Sequence, residues 1–260
     1  MTKIVILAGG LGTRLREETE FKPKPMVEVG GQPILWHIMK SFMDYGFNDF
    51  VIATGYKSNV IKNYFLNLQA YTQDICLNFD NGKFMYSNSE NMNQKHFQVS
   101  VIDTGQNTNT GERISKLRDI LGEDTFICTY GDGLSNVDIR SLLTFHQSHK
   151  RFATVTAVKP RSRFGQLEIS ADKIVTQFWE KPIMDDWVNG GFFVFEPEVL
   201  DFINRGDSLE SELLVRLVGI QQLAAYCHEG FWYPMDTYRE FLELNEMWNR
   251  GETPWIRDQT

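Results

Sequence analysis

The chain has 260 residues, with 26 Lys and Arg against 34 Asp and Glu, a formal net charge of −8, 42% hydrophobic residues and 23% charged ones. That acidity argues against a general nucleic-acid binder, which needs a basic footprint, yet leaves room for a phosphate site that needs only local positive charge. The apolar content suffices for the core of one large domain, and no apolar run approaches membrane-spanning length.

The predicted elements run in chain order as follows. Residues 3–7 form a buried strand that empties into Ala8-Gly9-Gly10-Leu11-Gly12-Thr13-Arg14. Ile34, Ile38, Phe42 and Tyr45 recur at helical spacing, which predicts an amphipathic helix over 33–45. A second strand spans 49–54, a helix 58–68, a third strand 99–103, a helix 110–121 and a strand 125–130 that ends at Gly131-Asp132-Gly133. Strand–helix alternation of this kind predicts an α/β fold with a mainly parallel central sheet covered by helices. Between them, residues 69–98 read as an insertion carrying Asp80-Asn81-Gly82, a hairpin signal. It serves as surface decoration, a flap or an oligomer contact, and the sequence favours none of these.

The second half is more mixed. A strand is predicted over 153–158, paired strands over 165–170 and 173–180, an aromatic strand over 192–195 and a helix over 208–223. Thr237-x-x-Glu240 is a capping box opening a last helix. These define one domain over 1–260, with about 1–150 as a nucleotide-binding half, about 151–236 as a small β-rich acceptor-binding part and 237–260 as a C-terminal helix and tail. Cys76, Cys128 and Cys227 are odd in number and far apart, and read as reduced, buried thiols of a cytoplasmic protein. Met1 leading straight into a strand predicts a fold that no signal peptide precedes.

The glycine turn after the first strand is the first chemical signal. Without Cβ atoms in the way, backbone N–H groups there can face a row of phosphate oxygens, helped by the start of the next helix. A bare glycine turn is equally a tight strand-to-helix connection. Leu15 stands where a dinucleotide fingerprint has its third glycine, and no Gly-Lys-Ser/Thr follows for a P-loop. Arg14, with Lys24 or Lys22 from Lys22-Pro23-Lys24-Pro25-Met26, adds full positive charge. In an extended stretch Lys22 and Lys24 point the same way.

Gly-x-Gly-Thr-Arg followed by Pro-Lys-Pro-Met resembles the signature of the sugar-phosphate nucleotidyltransferases. The resemblance continues, in order, through Tyr130-Gly131-Asp132-Gly133, Trp179-Glu180-Lys181-Pro182, Asn189-Gly190-Gly191-Phe192-Phe193-Val194 and Gly230-Phe231-Trp232-Tyr233-Pro234-Met235-Asp236-Thr237. The last block points to the cytidylyl branch. The resemblance implies a Rossmann-like nucleotidyltransferase fold and a cytoplasmic homo-oligomer. Its reaction is Mg²⁺-dependent transfer of a cytidylyl group from CTP to a sugar 1-phosphate, α-D-glucose 1-phosphate, with no nucleic acid or membrane as partner. The same chemistry with another acceptor phosphate or nucleotide, and a non-catalytic nucleotide-sugar sensor, stay open as alternatives.

In such a reaction the attacking phosphate oxygen is already anionic, so no general base is needed; the obstacle is repulsion between anions. Arg14 and Lys24 are expected at the triphosphate. Leu7, Ala8, Gly9, Gly10, Gly12, Thr13 and Lys22 are expected around the nucleotide, with Tyr130 and Gly131. Tyr130 or Trp232 is expected as a pocket wall. Asp132, at the mouth of a strand, and Asp236, before a helix cap, make a hard oxygen site suited to Mg²⁺; singly, each is also an ordinary turn or cap residue. The resemblance places Thr110 and Arg113 near the base, Lys181 on the acceptor phosphate and Glu180 on sugar hydroxyls, with Asn189 and Gly190 lining that pocket. Arg161 and Arg163 either reach the sugar phosphate or are solvated.

Overall fold

The structure, a computed structural model, describes residues 2–72, 75–78, 80, 83–86 and 97–257. Its strands are β1 (Ile4–Ala8), β2 (Glu28–Val29), β3 (Gln32–Pro33), β4 (Asp49–Thr54), β5 (Ile75–Asn78), β6 (Lys83–Tyr86), β7 (Gln98–Asp103), β8 (Phe126–Tyr130), β9 (Gly133–Ser135), β10 (Ala153–Val158), β11 (Gln166–Ile169), β12 (Val175–Trp179), β13 (Val188–Phe195), β14 (Leu223–His228) and β15 (Trp232–Pro234). Seven of them form one sheet in the order β14-β10-β13-β8-β1-β4-β7. β1 pairs in parallel with β4 and β8, β4 with β7, and β10 with β14. Only β13 runs antiparallel to its neighbours β8 and β10. The mainly parallel sheet is as expected. Strands from the second half join it directly, so the separate β-rich part reduces to the antiparallel pair β11–β12.

Side chains alternate across a strand, so each central strand feeds two cores. Ile4, Ile6, Ile52, Phe192 and Val194 pack with Ile34, Ile38 and Phe42 of the helix Ile34–Met43 on one face. Val5, Leu7, Val51, Phe193 and Phe195 pack with Ile114, Leu117, Leu213 and Leu217 on the other. Burial on both faces is why β1 is apolar at all five positions.

Several elements depart from expectation. The helix predicted over 110–121 is two pieces, Thr110–Ser115 and Arg118–Leu121, because Leu117 leaves helical geometry to fill the second core. The helix predicted over 208–223 opens as a π-helical turn, Leu209–Leu213, and ends at Gly219; Leu223 instead starts the edge strand β14. The helix Ile139–His149, capped by Asp138 accepting from the Ser141 N–H at 2.9 Å, was not anticipated. Antiparallel pairing of β5 with β6 meets the hairpin signal, while Asn81 and Gly82 lie outside the described residues. Cys128 is buried as expected, but Cys227 is exposed on the edge strand. Among the described residues no helix is long and apolar enough to cross a membrane.

The last helix, Tyr238–Asn249, begins at the predicted capping box. Gly30, at φ 60°, lies beneath the Trp248 indole, where a Cβ would stand 2.1 Å from the ring. Its N–H donates to Asn245 Oδ1 at 3.0 Å. The helix is thereby seated against the β2–β3 turn.

Candidate active site

At the carboxyl end of β1 the chain turns through Gly9–Gly12 into a 3₁₀ turn, Thr13–Leu15, and a one-turn helix, Arg16–Thr19. Thr19 Oγ1 donates to the Gly12 and Leu15 carbonyls at 2.9 and 2.8 Å, bracing the turn from behind. The helix is too short for the dipole contribution expected of it, so positive potential there rests on side chains. A cleft of about 300 Å³ opens over this turn. Leu7, Ala8, Gly9, Gly10, Gly12, Thr13, Arg14, Lys24, Thr110, Arg113, Tyr130, Gly131, Asp132 and Asp236 all line it.

The two carboxylates come from segments over a hundred residues apart, and the antiparallel pair β9–β15 brings them together. Gly133 faces Pro234 in that pair, and the Met235 N–H donates to the Asp132 carbonyl at 2.8 Å. Asp132 and Asp236 therefore sit side by side. Lys24, at the start of a 3₁₀ turn set by Pro23 and Pro25, reaches between them. Its Nζ donates to Asp132 Oδ2 and to Asp236 Oδ1, each at 2.6 Å. Arg14 Nη1 donates to Asp236 Oδ2 at 2.8 Å. Burial alone would raise the Asp236 carboxyl, but the Lys24 hydrogen bond and the charges of Lys24, Arg14 and Arg163 outweigh it and hold the group below the ordinary carboxylate range.

Arg163, which the sequence reads as either a phosphate contact or a solvated charge, pairs with carboxylates. Its Nη2 lies 3.1 Å from Glu240 Oε1 and 3.8 Å from Asp236 Oδ2. The other Glu240 oxygen accepts the Asp236 and Thr237 N–H groups at 2.7 and 2.8 Å. The capping-box glutamate thus fixes the backbone that carries Asp236.

Arg113 is buried, and lies against Gly9, whose Cβ would stand 2.2 Å from the guanidinium carbon. Nη1 donates to the Thr54 carbonyl, Thr104 Oγ1 and the Gly105 carbonyl at 2.6–2.9 Å, and Nη2 to the Gly9 and Gln106 carbonyls at 3.1 and 3.2 Å. It lines the cleft, but its terminal nitrogens brace three loops. Contact with a nucleotide through them requires exchange of one of these bonds.

Tyr130 forms part of the wall, with its ring edge-on to Phe193 at 5.8 Å. Its hydroxyl donates to Glu210, and burial together with that carboxylate pushes the Tyr130 phenol well above its ordinary range. Thr110 Oγ1 donates to the second Glu210 oxygen at 2.9 Å, and Asn189 Nδ2 to the Tyr130 hydroxyl at 3.3 Å. Glu210 organises three predicted residues and was missed, because an exposed glutamate in a helical stretch reads as solvated. Trp232 is not in the wall; its Nε1 donates to the Gly190 carbonyl at 2.7 Å and holds that strand in place.

Two sets of the expected residues lie outside the lining of this cleft. Lys22 does not accompany Lys24; the 3₁₀ turn at Lys24 ends the extended run, and Lys22 pairs with Glu28 at 3.4 Å, outside the cleft lining. Glu180, Lys181, Asn189 and Gly190 do not line the cleft either. Asn189 and Gly190 reach it at one remove, through Tyr130 and Trp232. Glu180 and Lys181 sit at the base of the β11–β12 arm, with Lys181 in the left-handed region at φ 47°. Arg14, Lys24, Asp132 and Asp236 meet in the cleft, and Lys181 stands apart from it.

A glycine turn at the carboxyl end of a parallel sheet, with two basic and two acidic side chains converging over it, defines an α/β protein built to handle phosphate groups. The nucleotidyl transferase family matches residues 3–249, and the chain belongs to it. It is 45% identical over 259 residues to glucose-1-phosphate cytidylyltransferase from Salmonella typhi, covering 97% of this chain and 98% of that one. It is 28% identical over 251 residues to mannose-1-phosphate guanyltransferase from Schizosaccharomyces pombe, covering 92% of this chain and 62% of that one. The fold is that of HddC from Yersinia pseudotuberculosis, with a TM-score of 0.69 at 22% identity, over 95% of this chain and 100% of that one.

Proposed function

We propose that this chain transfers a cytidylyl group from CTP to α-D-glucose 1-phosphate, releasing CDP-glucose and pyrophosphate. The observation that carries the chemistry is the meeting of Arg14 and Lys24 with Asp132 and Asp236 over the glycine turn. The substrates follow the activity that names the 45% identical relative, matched over nearly its full length. A phosphate oxygen of the sugar phosphate attacks the α-phosphorus, a new P–O bond forms, and the bond to the β-phosphate bridging oxygen breaks with its electron pair leaving on pyrophosphate. No proton has to be removed, so the cleft needs charge complementarity rather than a base. Arg14, Lys24 and the N–H groups of the glycine turn meet the negative charge of the triphosphate as it grows.

Asp132 and Asp236 suit a hard divalent cation. Both are within hydrogen-bond reach of one ammonium, and among the described residues no third His, Cys, Asp or Glu joins them. Two carboxylates, with the remaining places left to phosphate and water, is the donor set Mg²⁺ favours. When bound, it would neutralise charge on the phosphates being joined and parted. Glu180, Lys181, Asn189 and Gly190 serve the sugar phosphate, Lys181 taking its phosphate and Glu180 its hydroxyls. The first 150 residues or so hold the nucleotide and the following segment the acceptor, in a cytoplasmic homo-oligomer.

The test is pyrophosphate release with CTP, UTP, dTTP and GTP, each against a panel of sugar and non-sugar phosphates. CTP with glucose 1-phosphate should dominate. Silence with every pair would leave only nucleotide binding, and dominance of another pair would move the assignment within the same chemistry.

A further inference from the structure

Every residue of β11 and β12 is exposed, so this hairpin stands out from the molecule with little packed against it. A lone two-stranded hairpin is marginal in water, and its orientation depends on its base. The two sides of that base are zipped together by backbone. The Ser162 N–H donates to the Pro182 carbonyl at 2.8 Å, the Met184 N–H to the Pro160 carbonyl at 2.9 Å, and Arg161 bridges Ile183. Glu180 and Lys181 emerge beside this zipper, at the end of β12. Glu180 lies against Gly165, its Oε2 3.3 Å from where a Cβ there would stand.

Among the described residues, the polar side-chain contacts from 159–187 to the rest of the molecule run through Arg163, to Glu240 Oε1 at 3.1 Å and Asp236 Oδ2 at 3.8 Å. Glu240 is a rigid seat: its other oxygen is held by the Asp236 and Thr237 N–H groups. Exposed ion pairs usually contribute little because both side chains must be ordered. Here one partner is already ordered by the helix cap and its side chain is only 14% exposed.

We infer that Arg163 is a positioning residue, and that its pairing with Glu240 latches the arm that carries Glu180 and Lys181 to the helix cap that holds Asp236. One glutamate then sets both sides of the reaction, the backbone of Asp236 and the arm carrying the acceptor-side groups. The inference rests on the proposed reaction for its kinetic arm and on the structure alone for its exchange arm.

Two variants separate latching from direct contact. Glu240→Gln keeps an amide oxygen to cap the helix but removes the charge that seats Arg163. Arg163→Gln removes the other partner. Each should raise KM for glucose 1-phosphate about tenfold, with KM for CTP within about twofold, and the double variant should be no worse than either single one. If Arg163 instead touched substrate directly, Glu240→Gln would leave the acceptor KM unmoved, and that result overturns the latch. Additive losses in the double variant overturn it too. Amide hydrogen exchange without substrates supplies the second readout. Arg163→Gln should speed exchange over 160–184 while 238–249 stays protected. Unchanged exchange overturns the latch even in an active enzyme, whereas absent turnover in the parent protein strikes only the reaction.

Discussion

Lys24 Nζ stands 2.6 Å from a carboxylate oxygen of Asp236 and, on its other side, 2.6 Å from one of Asp132. The ammonium lies where the two acidic groups would both meet a divalent ion, so on the proposed reading lysine and metal would compete for the same oxygens before nucleotide binds. With nucleotide present, the triphosphate offers the ammonium another anionic partner. Lys24→Met should lower turnover by about 10³, in the range seen when a preorganised charge-stabilising group is lost. The same variant should bind Mn²⁺ in the absence of nucleotide at least about tenfold more tightly, since two unpaired carboxylates then attract it. Calorimetric titration of the free proteins reads this directly; equal or weaker binding by the variant counts against the competition.

Lys22 is the matched control. It is two residues away, carries the same side chain, and is paired with the half-exposed Glu28. Lys22→Ala should leave the turnover number within about twofold and the melting temperature nearly unchanged, as for other surface substitutions. A loss comparable to that of Lys24→Met would return Lys22 to the nucleotide.

Gly9 is fixed by a neighbour rather than by its backbone angles. A Cβ there would meet the Arg113 guanidinium at 2.2–2.5 Å, and that guanidinium is tied to five oxygens. Gly9→Ala should cost about 1–3 kcal/mol of stability, the scale of overpacking, and weaken CTP binding by shifting the glycine turn. Gly10→Ala, where a Cβ meets nothing within 4 Å, should be far milder. Denaturant melts of the two variants make the comparison.

Acid should destabilise the fold well away from the cleft. Burial lowers the pKa of His146, against an opposing contribution from Glu196, and burial likewise lowers His37, His149 and His228. A chain of hydrogen bonds accommodates the neutral forms of His149 and His146. The Arg151 N–H donates to His149 Nδ1, which leaves the His149 proton on Nε2, facing Thr154 Oγ1 at 2.7 Å. That hydroxyl can then donate to His146 Nδ1 at 2.8 Å, and His146 Nε2 to Glu196 at 3.0 Å. Unfolded histidines take up a proton below about pH 6.5, while these resist it, so the unfolded state binds more protons there and stability falls as pH falls. The melting temperature should drop steadily from pH 7.5 to 5.5, and His146→Gln should flatten part of the slope. A flat profile in the parent protein would contradict it.

Much of this architecture could be read from local patterns. The run of Ile4 to Leu7, the periodicity of Ile34, Ile38 and Phe42, and the Thr237–Glu240 box each carry a period or a cap that one element satisfies alone. Arg14, Lys24, Asp132 and Asp236 were legible from their motifs, though their meeting depends on β9 pairing with β15, a contact no local pattern announces. Glu210 and the Arg163–Glu240 pair were illegible for a different reason. A charged residue in a helical or loop stretch gives the same local signal whether it faces water or a neighbour. The helix predicted over 208–223 takes in only Leu223 of the edge strand β14, and the rest of that strand was illegible because so short an edge strand carries no strong local pattern.

The left-handed backbone of Lys181 carries a last consequence. An L-residue other than glycine, asparagine or aspartate is disfavoured there by about 1–2 kcal/mol, so glycine would relax the chain at that point. Lys181→Gly should therefore melt no lower than the parent protein while consuming glucose 1-phosphate far more slowly. Thermal robustness and usefulness would pull apart at one residue, and selection for robustness alone would erase the lysine.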